Sequence, residues 1–251
     1  MAHEKRRIPR KRIVLVLSFA VLILIIGGAA IWLCDFYPAD DSVGTYLTEA
    51  KDVSVTEIDN GLLLDGSGSC NALIFYPGAK VEYTAYVPLM MKLAQNGVDV
   101  FLVRMPCNLA VLGKNKAESI INSYCYEHWY LGGHSLGGAM ASDYVADCLK
   151  NGKKSPDGLI LLAAYPNKSL ANAAIGVLTI YGSEDKVLNR KKLQSGWSLL
   201  PASAQEIIIE GGNHAQFGCY GAQKGDGVPL ISQEKQWEQT VSCVLRWIGA
   251  S

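Results

Sequence analysis

The sequence predicts an α/β domain built on a mostly parallel sheet of eight strands flanked by helices, preceded by one apolar helix at the N-terminus. Three observations carry this. From about residue 50 to the end, short apolar runs alternate with helical patterns, which is how strand–helix–strand units read in sequence. Several of those runs are continuously apolar, as strands buried on both faces must be. Finally, Ile13 to Leu33 form 21 residues without a charge, about 31 Å as a helix and so the thickness of a hydrocarbon core.

The elements follow in order. Residues 1–12 form a basic tail, with Lys5, Arg6, Arg7, Arg10, Lys11 and Arg12 against Glu4 alone. Residues 13–33 read as a transmembrane anchor. A cleaved signal peptide is the alternative, but the apolar run exceeds the 7 to 15 residues of an h-region and no small-x-small site follows it. The excess of Lys and Arg places the N-terminus in the cytoplasm, making a single-pass cell-membrane protein with its remaining chain outside. The overall balance of 23 basic and 23 acidic residues is therefore a cancellation: 17 basic and 22 acidic residues lie beyond the tail. Neither part suggests a nucleic-acid partner. Residues 34–49 read as a polar stalk and 50–251 as the folded domain. Of seven cysteines, none forms a CxxC or joins a His/Cys cluster, so no metal site is expected and buried thiols are favoured for most.

Within 50–251, strands are expected at Val53–Ile58, Leu62–Leu64, Ala72–Tyr76, Val98–Arg104, Trp129–Gly132, Gly158–Ala163, Val177–Tyr181 and Glu206–Ile209. Helices are expected from Pro88 to Gln95, from Leu136 to Lys150, and from Gln233 to Ile248, where Trp237, Val241, Val244 and Ile248 share a face.

Gly133-His134-Ser135-Leu136-Gly137 follows one of these strands and opens a helix. In that setting G-x-S-x-G reads as a nucleophile elbow, whose glycines permit the close backbone approach that exposes the serine. A serine needs an imidazole to take its proton. His3 lies in the tail, His128 precedes the strand, and His134 sits inside the elbow with its side chain expected to point away. That leaves His214, in Gly211-Gly-Asn-His214 after an apolar run. An acid must orient the imidazole. Glu184 and Asp185 both follow the run ending at Tyr181, and the G-x-x-D spacing from Gly182 favours Asp185. The order Ser135, Asp185, His214 is that of α/β hydrolases. An oxyanion needs two donors: the backbone N–H of Leu136, and one from Tyr76-Pro-Gly-Ala-Lys80, with Ala79 preferred over Lys80.

Tyr76-Pro-Gly-Ala-Lys-Val81, Arg104-Met-Pro106 with Asn108-Leu-Ala-Val-Leu112, Gly132 to Met140, and Asn213-His-Ala-Gln-Phe-Gly218 with Tyr220 to Asp226 resemble a bacterial family of membrane-anchored α/β hydrolases, and more distantly dienelactone hydrolases and cutinase-like esterases. The resemblance spans nearly all of 50–251. It implies the eight-strand α/β-hydrolase core and the triad above, without defining a substrate. The expected chemistry is cleavage of a small-molecule or acyl ester, lactone or thioester through an acyl-enzyme, with no cofactor. Peptidase or acyltransferase activity, or a non-catalytic envelope protein on the same scaffold, are the alternatives. The short span from Ala163 to Val177 leaves no room for a large cap. The Gly-rich stretch Ala215–Gly227 is expected either to shape the rim of the site beside His214 or to form a solvated loop. Asn167-Lys-Ser169 matches a glycosylation sequon, meaningful only in a eukaryotic secretory pathway.

Overall fold

The computed structural model describes residues 10–49, 52–68 and 70–249; most of the basic tail lies outside them. The chain divides into two units, Met1–Phe36 and Tyr37–Ser251. The first contains α1, Arg10–Cys34. Its stretch Arg10–Gly28 is long and apolar enough to cross a membrane by length and composition, and Leu15, Leu17, Phe19 and residues 21–26 are all exposed.

In the second unit the short helix α2 (Val43–Glu49) leads to β1 (Ser54–Ile58), β2 (Gly61–Asp65), β3 (Asn71–Tyr76), α3 (Val87–Ala94), β4 (Val98–Val103), α4 (Lys116–Ser123), β5 (His128–His134) and α5 (Leu136–Lys150). There follow β6 (Gly158–Leu162), β7 (Gly176–Gly182), α6 (Arg190–Gly196), β8 (Gln205–Ile209) and α7 (Gln233–Ile248). The eight strands form one sheet in the order β1-β2-β4-β3-β5-β6-β7-β8. Only the β1–β2 and β2–β4 pairings are antiparallel. All eight expected strands are present. Residues 163–175 form no helix or strand, so no helical cap is inserted after β6.

Alternation along a strand divides the core in two. On β3, Leu73 and Phe75 face α3 and α7, while Ala72, Ile74 and Tyr76 face α4 and α5. Burying each large aliphatic or aromatic side chain contributes on the order of 1.5–3 kcal/mol. The helix ends follow local chemistry. The Ser232 side chain accepts the Lys235 N–H at the start of α7, and Gly249, at φ 73°, ends it in the left-handed conformation that glycine tolerates. Asn189 caps α6 in the same way as Ser232. Helices α2, α4 and α6 have only seven or eight residues, too few for an apolar period to stand out in the sequence.

The expected stalk is a correction. The folded unit begins at Tyr37, whose N–H donates to Lys80 O at 2.7 Å and whose carbonyl accepts from Glu82 N at 2.9 Å. Val43, in α2, is buried. Among these thirteen residues, Tyr37 and Asp40 are held by backbone bonds to distant loops, a pairing no local pattern announces.

The chain leaves β3 toward β4 on one side and crosses back to β5 on the other. That reversal opens a crevice at the carboxyl ends of β3 and β5, the place where open parallel sheets bind ligands.

Candidate active site

Ser135 is the single residue between β5 and α5, with φ 52° and ψ −122°. Its N–H donates to Leu162 O at 2.9 Å and its carbonyl accepts from Ala139 N at 3.1 Å. Only glycine fits on either side: a Cβ on Gly137 would lie 2.3 Å from Tyr76 O, and one on Gly133 would lie 2.5 Å from the Gly137 carbonyl carbon. Such a conformation costs on the order of 1–3 kcal/mol and persists only where its surroundings enforce it. Among the described residues, the non-glycine residues with left-handed φ are Lys80, Cys107, Asn108, Ser135 and Ala163. They follow β3, β4, β5 and β6, so the backbone strain is concentrated along one edge of the sheet.

Asp185 sits in a tight turn after β7. Its Oδ1 accepts the N–H groups of Val187 and Leu188 at 2.9 and 2.8 Å. Its Oδ2 lies 2.8 Å from His214 Nδ1. Both side chains are buried. A carboxylate can only accept, so Nδ1 carries the proton of that bond and Nε2 is the ring atom left to meet a substrate. That Nε2 is buried without a hydrogen-bond partner among the described residues. Glu184 does not reach the imidazole; its carboxylate accepts from the Ser183 hydroxyl at 3.3 Å. The two loops touch because Gly182 has no side chain: a Cβ there would lie 2.1 Å from Gly212 O.

The loop after β3 offers three N–H groups. Gly78 N–H donates to Tyr86 Oη at 3.0 Å and Lys80 N–H donates to Asn108 O at 2.8 Å. Ala79 N–H donates to no group among the described residues, and neither does that of Leu136, which opens α5 where no intrahelical acceptor exists.

His134 differs from the expectation. Its ring does not turn away but lies 4.4 Å, centroid to centroid, from that of His214. Its Nδ1 is 2.8 Å from Tyr86 Oη. The same oxygen accepts from Gly78 N–H, so Tyr86 Oη ties the loop after β3 to the His134 ring. Burial, and secondarily the neighbouring His214, hold the His134 pKa well below its ordinary value, keeping the ring neutral beside His214. Tyr86 is itself pushed up by burial and stays protonated.

The stretch 215–227 packs on the His214 loop. Ala215, Phe217, Cys219 and Tyr220 are buried. Asp226 accepts from Ala215 N and Gly227 N, both at 2.8 Å. From α7, Gln236 clamps the backbone of Asn213, accepting its N–H at 3.0 Å and donating to its carbonyl at 2.9 Å. Sequence reading named neither Tyr86 nor Gln236, and gave Asn108 and Asp226 no role. Asn108 and Asp226 lie in the motifs that carry the family resemblance, whereas Gln236 is followed at i+3 and i+4 by Gln239 and Thr240 and carried no local signal.

Ser135 and His214 line one cleft of about 240 Å³ together with Leu136, Ala163, Asn167 and Leu188. Across residues 72–238 the sequence matches the profile of a family described as the alpha/beta hydrolase family. The chain belongs to that family. No curated protein matches this α/β hydrolase in sequence. Solved structures resemble it in fold. A hyperthermophilic esterase from the archaeon Pyrobaculum calidifontis superposes with a TM-score of 0.58 at 13% identity, covering 81% of this chain and 88% of the esterase. Carboxyl esterase 2 of the fungus Tuber melanosporum gives 0.59 at 12% identity, covering 85% and 91%. A bacterial heroin esterase gives 0.55 at 12% identity, covering 81% and 88%. Among the described residues no cysteine is in a disulfide; Cys148, Cys219 and Cys243 are buried, while Cys70, Cys107 and Cys125 are exposed, against the expectation that most would be buried.

Proposed function

We propose that this α/β hydrolase is a membrane-anchored serine hydrolase that cleaves a carboxylic ester, lactone or thioester through an acyl-enzyme, outside the cytoplasm. The observation that carries the reading is the meeting of Ser135 and His214 in one cleft, with His214 Nδ1 held by buried Asp185. Ser135 Oγ attacks the acyl carbon while His214 Nε2 takes its proton; Asp185 orients the ring and stabilises the imidazolium. The Oγ–Nε2 hydrogen bond forms as substrate binds, since such contacts are often loose in the free enzyme. The tetrahedral oxyanion is held by the N–H groups of Leu136 and Ala79. The choice of Ala79 over Lys80 is supported by elimination, because the N–H groups on either side of Ala79 are already used. His214 then protonates the leaving group, and the same base activates water to release the acid.

Neutral His134 supports the scheme, since a second cation beside His214 would oppose formation of the imidazolium. Anchoring by α1, with the basic tail in the cytoplasm and membrane lipid around the helix, is supported by its length, apolar composition and flanking charge. A fluorophosphonate probe tests the chemistry. The full chain in detergent should label, and Ser135→Ala should not. Absence of labelling in the folded parent, or equal labelling of the variant, would refute the assignment.

A further inference from the structure

Large apolar side chains are exposed on the folded unit in an uneven way. Among the described residues from Tyr37 onward, four exceed half exposure: Val111 at 54%, Leu112 at 56%, Val228 at 80% and Leu230 at 76%. The other exposed ones, Leu149, Trp197 and Ile208, stay below half. All four of the most exposed lie on loops at the carboxyl edge of the sheet. Val111 and Leu112 follow β4, just beyond Asn108, whose carbonyl braces the oxyanion loop. Val228 and Leu230 lie in the loop after β8, where Leu230 N–H donates to Gly211 O at 2.7 Å, beside His214. They form two apolar tips flanking the crevice. Exposed apolar clusters of this kind mark surfaces that meet a membrane or a partner.

Connectivity chooses between these. The chain joins the folded unit at the same edge. Tyr37 is bonded to Lys80 and Glu82 on the oxyanion loop, its hydroxyl accepts Lys224 N–H at 3.2 Å, and Asp40 N–H donates to Cys219 O at 2.8 Å. Only Asp35 and Phe36 separate Tyr37 from the end of the apolar helix at Cys34, a covalent reach of about 10 Å. Lys186 and Lys224, exposed on neighbouring loops, supply cations suited to lipid headgroups.

We infer that the edge carrying Ser135 faces the bilayer, with the tips 111–112 and 228–230 seated in its interface, and that the ester cleaved is presented from the lipid phase. The inference rests on the anchored ester hydrolase proposed above. The test uses the full chain in phosphatidylcholine vesicles containing lipids brominated near the headgroup. Fluorescence added by Leu230→Trp should be quenched, whereas fluorescence added by Lys154→Trp, on the exposed loop before β6 at the opposite edge, should not. Quenching of both, of neither, or of the Lys154 variant alone overturns the placement; a protein partner on the tips would give the second of these. Paired substitution of Val228→Asp and Leu230→Asp should slow hydrolysis of dioctanoylglycerol dissolved in the vesicles by about tenfold while leaving p-nitrophenyl acetate within about twofold. Equal effects on both esters would refute the lipid-borne substrate. A parent that neither labels with fluorophosphonate nor cleaves the soluble ester would refute the hydrolase reading instead, and the quenching result would still decide which edge faces the membrane.

Discussion

The elbow at Ser135 and the loop at Ala79, proposed above to hold the oxyanion, lie side by side, yet the chain builds them by different means. The elbow is specified by glycines within five residues that leave no space for a Cβ, Gly133 against Gly137 itself and Gly137 against Tyr76 O of the neighbouring strand. The oxyanion loop is shaped from afar: Tyr86 takes the Gly78 N–H, Asn108 takes that of Lys80, and Tyr37 bonds on the far side. A locally built turn should fail through sterics, and a remotely braced one through lost hydrogen bonds.

The largest effect should come from breaking the elbow. Gly137→Ala places a Cβ 2.3 Å from the Tyr76 carbonyl oxygen, and the backbone shift it forces should cost about 3 kcal/mol, read as a lower urea midpoint, with activity lost as well. Tyr86→Phe breaks the brace instead. It keeps the ring but strands Gly78 N–H and His134 Nδ1, costing about 1–3 kcal/mol. If Ala79 N–H serves the oxyanion, kcat on a soluble ester should fall about a hundredfold with KM little changed. A pure loss of stability with kcat intact would show that the brace does not position the donor.

A smaller effect should follow from Gln236→Leu, which removes the clamp on Asn213. We expect a loss of about 2 kcal/mol and a fall in kcat of about tenfold, since His214 is displaced rather than removed. The smallest effect concerns pH. The folded pKa of His134 lies below its unfolded value near 6.5, so below that value the unfolded chain binds more protons. Stability should therefore fall as pH drops from 8 toward 5, by at most about 1.4 kcal/mol per unit from this group. Urea midpoints across that range should show a flatter dependence for His134→Gln than for the parent.

The comparison also explains what was legible. Every strand was, most plainly β3, β4, β6 and β7, because a strand buried on both faces reads as a continuous apolar run; β1 and β8 keep exposed positions and show only short apolar stretches. The elbow was, because its steric demand falls on neighbouring residues. Of two adjacent carboxylates, spacing favoured Asp185, and the structure brings that one to His214. By contrast, His134 was expected to point away, yet it packs against His214. The reason is Tyr86, 48 residues earlier, which reads locally as an ordinary core tyrosine. The supposed stalk failed for a similar reason, since the bond from Lys224 to Tyr37 spans 187 residues.

By itself the sequence determined the sheet, the elbow, the short residue list from which a triad could be drawn, and an apolar segment of membrane-spanning length. Those features depend on periodicity, on the presence or absence of a Cβ, and on continuous hydrophobic length, all written in consecutive residues. Only the tertiary structure decided which N–H groups remain free, how His134 lies, and that the chain joins its folded unit at the edge bearing the site. Each of these depends on hydrogen bonds between segments that strand order alone makes neighbours.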